Sequence, residues 1–217
     1  MKQINDIILQ AASGNHPACK SCPRNPKKYN TSFAVSCNEH FGTTKHGLLI
    51  IARDPGASDG GSSHTSKLCV VCNSDRSANR LSANLSTLKI SPKTIYFLNA
   101  IMHGFFDENS KHKNETERNS CKAVIEEIIT ILQPKAILAL GMEALRSSLE
   151  ILLRTPVKKP TMEDMIEKSF SFGSISGVSV FAMPHPAFIN TNLAKYKLTN
   201  DEVWGEISRN LNKLLSV

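Results

Sequence analysis

Three polar groups in this sequence stand directly after apolar runs. The run from Leu48 to Ala52 ends in Arg53-Asp54-Pro55-Gly56, the run through Leu98 stops on Asn99, and the run through Met183 leads into Pro184-His185-Pro186. A carboxylate positions a water or faces developing positive charge, and an imidazole donates to a developing oxyanion. A carboxamide offers one acceptor and two donors for reading the edge of a heterocycle. Proline disfavours helix for the residue before it, so Asp54 and His185 are both expected in extended backbone; Pro184 stiffens the entry to His185 as well. A fourth group is sulfur-rich. Cys19-x2-Cys22 and Cys37-x2-His40 are separated by a polar, basic spacer of fourteen residues. Two close pairs so joined suit a structural zinc site, in which a tetrahedral metal pins a segment with little core of its own. Cys69 and Cys72 repeat the spacing inside an apolar run and read as wall or core.

The elements that must position these groups follow from hydrophobic patterning. Strands are expected over 47–52, 94–101, 136–140 and 178–183, and the first three are near-continuous apolar runs, as in a sheet covered on both faces. Helical periodicity marks 77–88, 115–132 and 142–153. A short helix is expected near 162–168, within an otherwise irregular stretch over 154–177. The last helix opens with a capping box from Thr199 to Glu202 and turns Val203, Ile207, Leu211 and Leu214 inward. Strands and helices alternate, which predicts an α/β fold: a three-layer αβα arrangement with a central, mainly parallel four-stranded sheet. Residues 1–45 read as an N-terminal helix and metal-binding segment packed on a core of 46–217, one domain overall. In an open parallel sheet, ligands bind beyond the carboxyl ends of the strands. Arg53, Asp54, Asn99 and His185 are therefore expected around one crevice.

Composition narrows the classes. The chain has 217 residues, 41% apolar and 21% charged, the balance of a globular protein. No apolar run reaches membrane-spanning length, and the first residues lack the apolar stretch of an export signal. A cytoplasmic monomer with reduced thiols is the expectation. The net charge of +7 suits a polyanionic partner.

"ARDPGA" (52–57), "YFLNAIMHG" (96–104), "QPKAILALGMEAL" (133–145) and "FAMPHPAF" (181–188) occur in an order and spacing that resemble the uracil-DNA glycosylase superfamily. The resemblance covers most of residues 46–190. It implies an enzyme that flips a pyrimidine out of DNA and hydrolyses its N-glycosidic bond to leave an abasic site. Cleavage passes through an oxocarbenium-like state that puts positive charge on the sugar and negative charge on the base. By resemblance Asp54 positions the water, His185 donates to the base oxygen and Asn99 reads the base edge. Where one subgroup has a bulky tyrosine this chain has Gly56, and where it has a stacking phenylalanine Val70 is aligned. Gly56 leaves room at carbon 5, and Val70 removes an aromatic platform, so that affinity is expected to come from elsewhere, a substituent on the base included. The expected substrate is uracil or a 5-modified pyrimidine, modified cytosine of foreign DNA included, and the pathway repair or defence against such DNA. Arg53 is a candidate for a phosphate or a polar group on a modified base, or for an ion pair with Asp54 or Asp59. Phe188, Ile189 and Leu193 are candidates for a wedge into the duplex, with Lys195 and Lys197 on flanking phosphates. No lysine stands in either catalytic motif, which implies a monofunctional enzyme without a Schiff-base step. Iron–sulfur branches of the superfamily begin with a similar Cys-x2-Cys, which gives an alternative to zinc: a cluster involving Cys19, Cys22, Cys121 and His103. Two rival readings of the whole remain at this stage. One is a zinc-containing nucleic-acid-binding protein on a catalytically inactive glycosylase fold, and the other is a small-molecule hydrolase using the same crevice.

Overall fold

A computed structural model describes residues 2–22, 25, 27, 31–36, 45–53, 66–68, 76–105, 114–186 and 189–216. Its centre is a sheet of β2 (Leu48–Ala52), β4 (Ile95–Asn99), β6 (Ala136–Leu140), β7 (Ser171–Ile175) and β8 (Val178–Met183), in the order β4-β2-β6-β8-β7. The first four are mutually parallel, and β7 runs antiparallel on the edge beside β8. Every residue of β2, β4 and β6 is buried, which is why they read as unbroken apolar runs. Helices α1 (Lys2–Ala12), α2 (Arg76–Ser86), α3 (Asn114–Leu132), α4 (Met142–Leu153), α5 (Met162–Glu167), α6 (Ile189–Ala194) and α7 (Asn200–Leu215) flank the sheet to complete three layers. One apolar core extends from Ile4 of α1 to Leu215 of α7. The Thr199–Glu202 capping box forms as expected, and α7 buries Val203, Ile207, Leu211 and Leu215; Leu214 is only partly buried.

Two features depart from the sequence expectation. The sheet has a fifth strand, β7, inside the stretch read as irregular. Ser171, Gly173 and Ser174 dilute its alternation, and it pairs only as an edge, with a register shift between Ser171 and Ser174. A two-residue turn with positive φ at Ser176 and Gly177 joins it to β8. The second departure is a small sheet, β3-β1-β5, of β1 (Thr31–Ser36), β3 (Ser66–Leu68) and β5 (His103–Phe105). The spacer after Cys22 thus contains a strand, antiparallel to the one that follows Asn99 and Met102.

Strand order locates the crevice. From β2 the chain crosses to β4 on one side, then returns to β6 on the other. The carboxyl ends of β2 and β6 therefore flank the switch point at which α/β sheets take ligands. A buried charge network joins α3, α4 and the chain that follows α4. Glu150 of α4 (3% exposed) faces Arg118 of α3 (1% exposed) at 3.1 Å and Arg146 at 3.0 Å. The same carboxylate accepts from the Val157 N–H at 3.2 Å, and Arg146 Nε donates to the Val157 carbonyl at 2.8 Å. Both polar groups of one loop residue are thereby fixed, two positions before Lys159. Removing the carboxylate strands the Arg118 charge in the core, an effect of about 3–5 kcal/mol. Glu150→Ala is expected to lower stability by about that much in urea titration; a loss below ~1 kcal/mol would show that the carboxylate is not the anchor.

Candidate active site at the sheet switch point

The crevice is built from strand ends tied to one another by backbone hydrogen bonds. Ala100 N–H donates to the Ala52 carbonyl and Ile101 N–H to the Arg53 carbonyl, both at 2.8 Å. The β2–β4 ladder thus continues past Asn99, and the chain after Arg53 leaves from a fixed point. On the other side, Gly141 N–H donates to the Met183 carbonyl at 2.8 Å. Gly141 sits at φ 93° and ψ 168°, a conformation essentially closed to other residues. A Cβ placed there would lie 3.5 Å from the Cβ of His185, an ordinary contact, so it is the backbone conformation and not the space that calls for glycine.

A cavity of about 230 Å³ opens at this point. Arg53 enters it from β2, Gly141, Met142 and Glu143 from the β6–α4 turn, and Pro184 and His185 from the end of β8; Lys159, Met162 and Met165 line it from the α5 segment, and Asn192 from α6. It is smaller than the roughly 300–1,000 Å³ of drug-sized ligand sites and suits a group of nucleobase size. Lys159 Nζ lies 2.6 Å from Glu143 Oε1, an ion pair on the cavity wall. A larger groove of about 640 Å³ lies near Gln133, Arg154 and Gly177, by the opposite ends of the strands, away from these groups. Asn99 does not line the cavity. It is 2% exposed at the end of β4, and its Nδ2 has no hydrogen-bond partner among the described residues. An orphaned buried donor typically costs about 1–3 kcal/mol, and such groups occur where a ligand supplies the missing partner.

The family model for the uracil DNA glycosylase superfamily matches residues 39–208, which include all of these strand ends. This chain belongs to that superfamily. No curated protein matches it. Superfamily members are DNA glycosylases, hydrolases that act on DNA, and the superfamily's α/β fold accounts for the flanked, mainly parallel sheet. Among the described residues, no helix is long and apolar enough to cross a membrane.

Of the site residues expected from sequence, the structure brings Arg53 and His185 to one cavity and leaves Asn99 beside it, on the strand next to Arg53. Asp54, Gly56, Val70 and Phe188 lie outside the described residues. Ile189 and Leu193 are fully buried on the inner face of α6, so neither is free to act as a wedge. Lys195 is 75% exposed just after α6, 3.9 Å from Glu163 Oε1 and above the Tyr196 ring. Lys197 is exposed in a left-handed turn. Sequence reasoning missed Lys159, Met162, Met165 and Asn192. They come from irregular or short helical segments with no periodic signal. Glu143 was within reach, because the expected 142–153 helix starts at a strand end.

The sulfur groups are partly described. Cys19, Cys22 and Cys121 are buried free thiols, while Cys37 and His40 lie outside the described residues and His103 is described only as backbone in β5. The turn bearing Cys19 is pinned on both sides. His16 Nδ1 accepts from Ala18 N–H, and its Nε2 faces Glu127 of α3 at 3.2 Å, which places the ring proton on Nε2. Asn25 donates to the Cys19 carbonyl at 2.7 Å. Cys22 hydrogen-bonds Cys121, and Met102 N–H donates to the Cys121 sulfur at 3.4 Å. Among the described residues no three His, Cys, Asp or Glu side chains are arranged as a ligand set. The contact that does form joins the Cys-x2-Cys turn to Cys121. Cys19 and Cys121 resist ionisation. The hydrogen bond to Cys22, burial and the neighbouring cysteines raise Cys121, and burial and then Cys22 push Cys19 up to about 11. A raised folded-state pKa contributes stability that is complete below the unfolded value and disappears as pH rises through the folded one. Metal-free protein is therefore expected to lose stability between about pH 9 and 11. Thermal melts of wild type and Cys19→Ser across that window test this, and parallel curves would refute it.

Proposed function

We propose that this chain is a monofunctional DNA glycosylase, acting as a monomer in the cytoplasm. It extrudes a pyrimidine, either uracil or a 5-modified pyrimidine such as a modified cytosine of foreign DNA, and hydrolyses its N-glycosidic bond. The observation that carries this reading is the switch-point cavity shared by Arg53 and His185, with the Asn99 Nδ2, unpartnered among the described residues, on the adjacent strand. In the reaction the bond from sugar C1′ to the base nitrogen breaks and its electron pair leaves with the base. His185 donates a hydrogen bond to the base oxygen that gains the charge. Asp54 faces the cationic sugar and takes the proton of the water that adds to C1′. Asn99 pairs with the N3 and position-4 groups of the ring. Gly56 leaves space at carbon 5, Val70 replaces a stacking aromatic, and Arg53 contacts a phosphate or a polar substituent on the base. Phe188 wedges the duplex, and Lys195 and Lys197 hold phosphates on either side.

Cys19 and Cys22 are proposed as metal ligands in the same protein. With Cys37 and His40 they would hold structural zinc; with Cys121 and His103 they would hold an iron–sulfur cluster. The Cys22–Cys121 contact favours the set that includes Cys121, and the Met102 N–H is placed to support its thiolate. Either group would be a structural pin that releases thiol protons on binding.

Duplexes containing uracil, 5-hydroxymethyluracil, or hydroxymethylated or glucosylated cytosine are expected to yield abasic sites with at least one of these bases. Asp54→Asn and His185→Ala should each slow single-turnover cleavage by roughly 100-fold or more. Binding should weaken steeply with salt. Salt-dependent binding with no base released from any of these duplexes would overturn the glycosylase reading. Elemental analysis with visible spectroscopy distinguishes the two ligand sets. Loss of the metal or chromophore in Cys121→Ser is expected, whereas zinc retained in that variant but lost in Cys37→Ser would assign the other set.

A further inference from the structure

Helix α2 and the turn that follows it make a row of polar contacts with α7. Asn84 and Asn200 at the start of α7 hydrogen-bond each other in both directions, at 3.4 and 3.3 Å. Thr87 accepts from the Trp204 indole at 2.8 Å, and Lys89 N–H donates to Asn212 at 2.7 Å. With Leu81 and Leu85 in the core, these bonds fix α2 against α7. One turn before Asn84, on the same face, Arg80 Nη1 donates to the carbonyl of Pro186 at 2.8 Å.

That carbonyl belongs to the residue immediately after His185. The Pro184 and Pro186 rings fix two φ angles, and Pro186 also holds His185 extended. The torsions left are ψ of Pro184, φ and ψ of His185 and ψ of Pro186, and the position of the Pro186 carbonyl depends on all of them. A half-buried guanidinium on a fixed helix therefore restrains the loop's remaining soft torsions. Gly141 of the β6–α4 turn lies beside His185, whose Cβ is 3.5 Å from where a Cβ on residue 141 would stand. His185 is thus set between the β6–α4 turn and a strut from α2.

We propose that Arg80 is a positioning residue for His185, aiming the imidazole through the Pro186 carbonyl without itself touching the substrate. The inference rests on His185 being the catalytic donor. A displacement of about 1 Å at a catalytic group is enough to change a rate by ~100-fold, so a restraint on the loop backbone has consequences for chemistry. A lysine preserves one donor and the charge but not the planar, directed fork.

The test uses the full-length chain, Arg80→Met and Arg80→Lys, and the duplex that wild type cleaves best. Single-turnover rate and DNA dissociation constant are measured separately, together with the melting temperature and the NMR signals of the His185 ring. The expected result for Arg80→Met is a rate about 10–100-fold lower with the dissociation constant within about threefold of wild type. Arg80→Lys, or guanidinium added to Arg80→Met, should restore part of the rate, and the His185 signals should shift or broaden. A rate within threefold of wild type with unchanged His185 signals would overturn the proposal. So would a rate loss matched by equal losses of DNA affinity and melting temperature, with no rescue. If wild type cleaves none of the duplexes, it is the glycosylase reading that falls. The ring signals then decide on Arg80 alone: unchanged signals in Arg80→Met reject it, and shifted or broadened signals support it.

Discussion

The hydrogen-bonded ladder through β4, β2, β6 and β8 is the constraint from which the site follows. Its strands are buried on both faces, so an unpaired polar side chain within them would be costly, and polar chemistry is confined to where they end. Register then assigns each candidate its level. Ala52 pairs with Asn99, Ile51 with Ala139, and Leu140 with Met183, so Asn99, Ala52, Leu140 and Met183 form one row. Arg53, Gly141 and Pro184 form the next row, and His185 stands one residue further. An amide low at one end of the row and an imidazole higher at the other leave a step between them, over the β2 and β6 ends. A one-residue slip in any of these pairings would turn the end residues to the opposite face and dissolve the arrangement.

This logic also explains what could be read from the sequence. The runs ending at Ala52, Asn99, Leu140 and Met183 are legible because double burial removes alternation and leaves an apolar block. The residue after each block is where backbone order persists while the demand for apolarity stops, so Arg53, Asn99 and His185 stand out. Strand β7 is illegible because an edge strand with one covered face, interrupted by Gly173, need satisfy neither pattern. Lys159 is illegible for a different reason. It follows Val157, whose backbone is held by Glu150 and Arg146, in a segment without helical or strand periodicity. Of the cysteines, Cys19 and Cys22 announce themselves by spacing. Cys121, a helical residue 99 positions on, was tied to them only through the family resemblance, and the structure places its sulfur against Cys22.

The N-terminal segment and the site share a short piece of chain. Ala100 and Ile101 are bonded to the end of β2, Met102 donates to the Cys121 sulfur, and His103 pairs with Phe33 in the small sheet. The four residues after Asn99 are therefore held successively by the main sheet, a thiol and a strand of the N-terminal segment. Each hold is local and each lies on backbone, so Asn99 is fixed from its exit side as firmly as β4 fixes it from its entry. In the proposed reading role of Asn99 such restraint is useful, because a freely rotating amide would read two edge patterns equally well. The group of buried thiols is then part of the architecture that holds the chain leaving Asn99. It stands outside the cavity, yet it anchors the strand exit on which the Asn99 side chain depends.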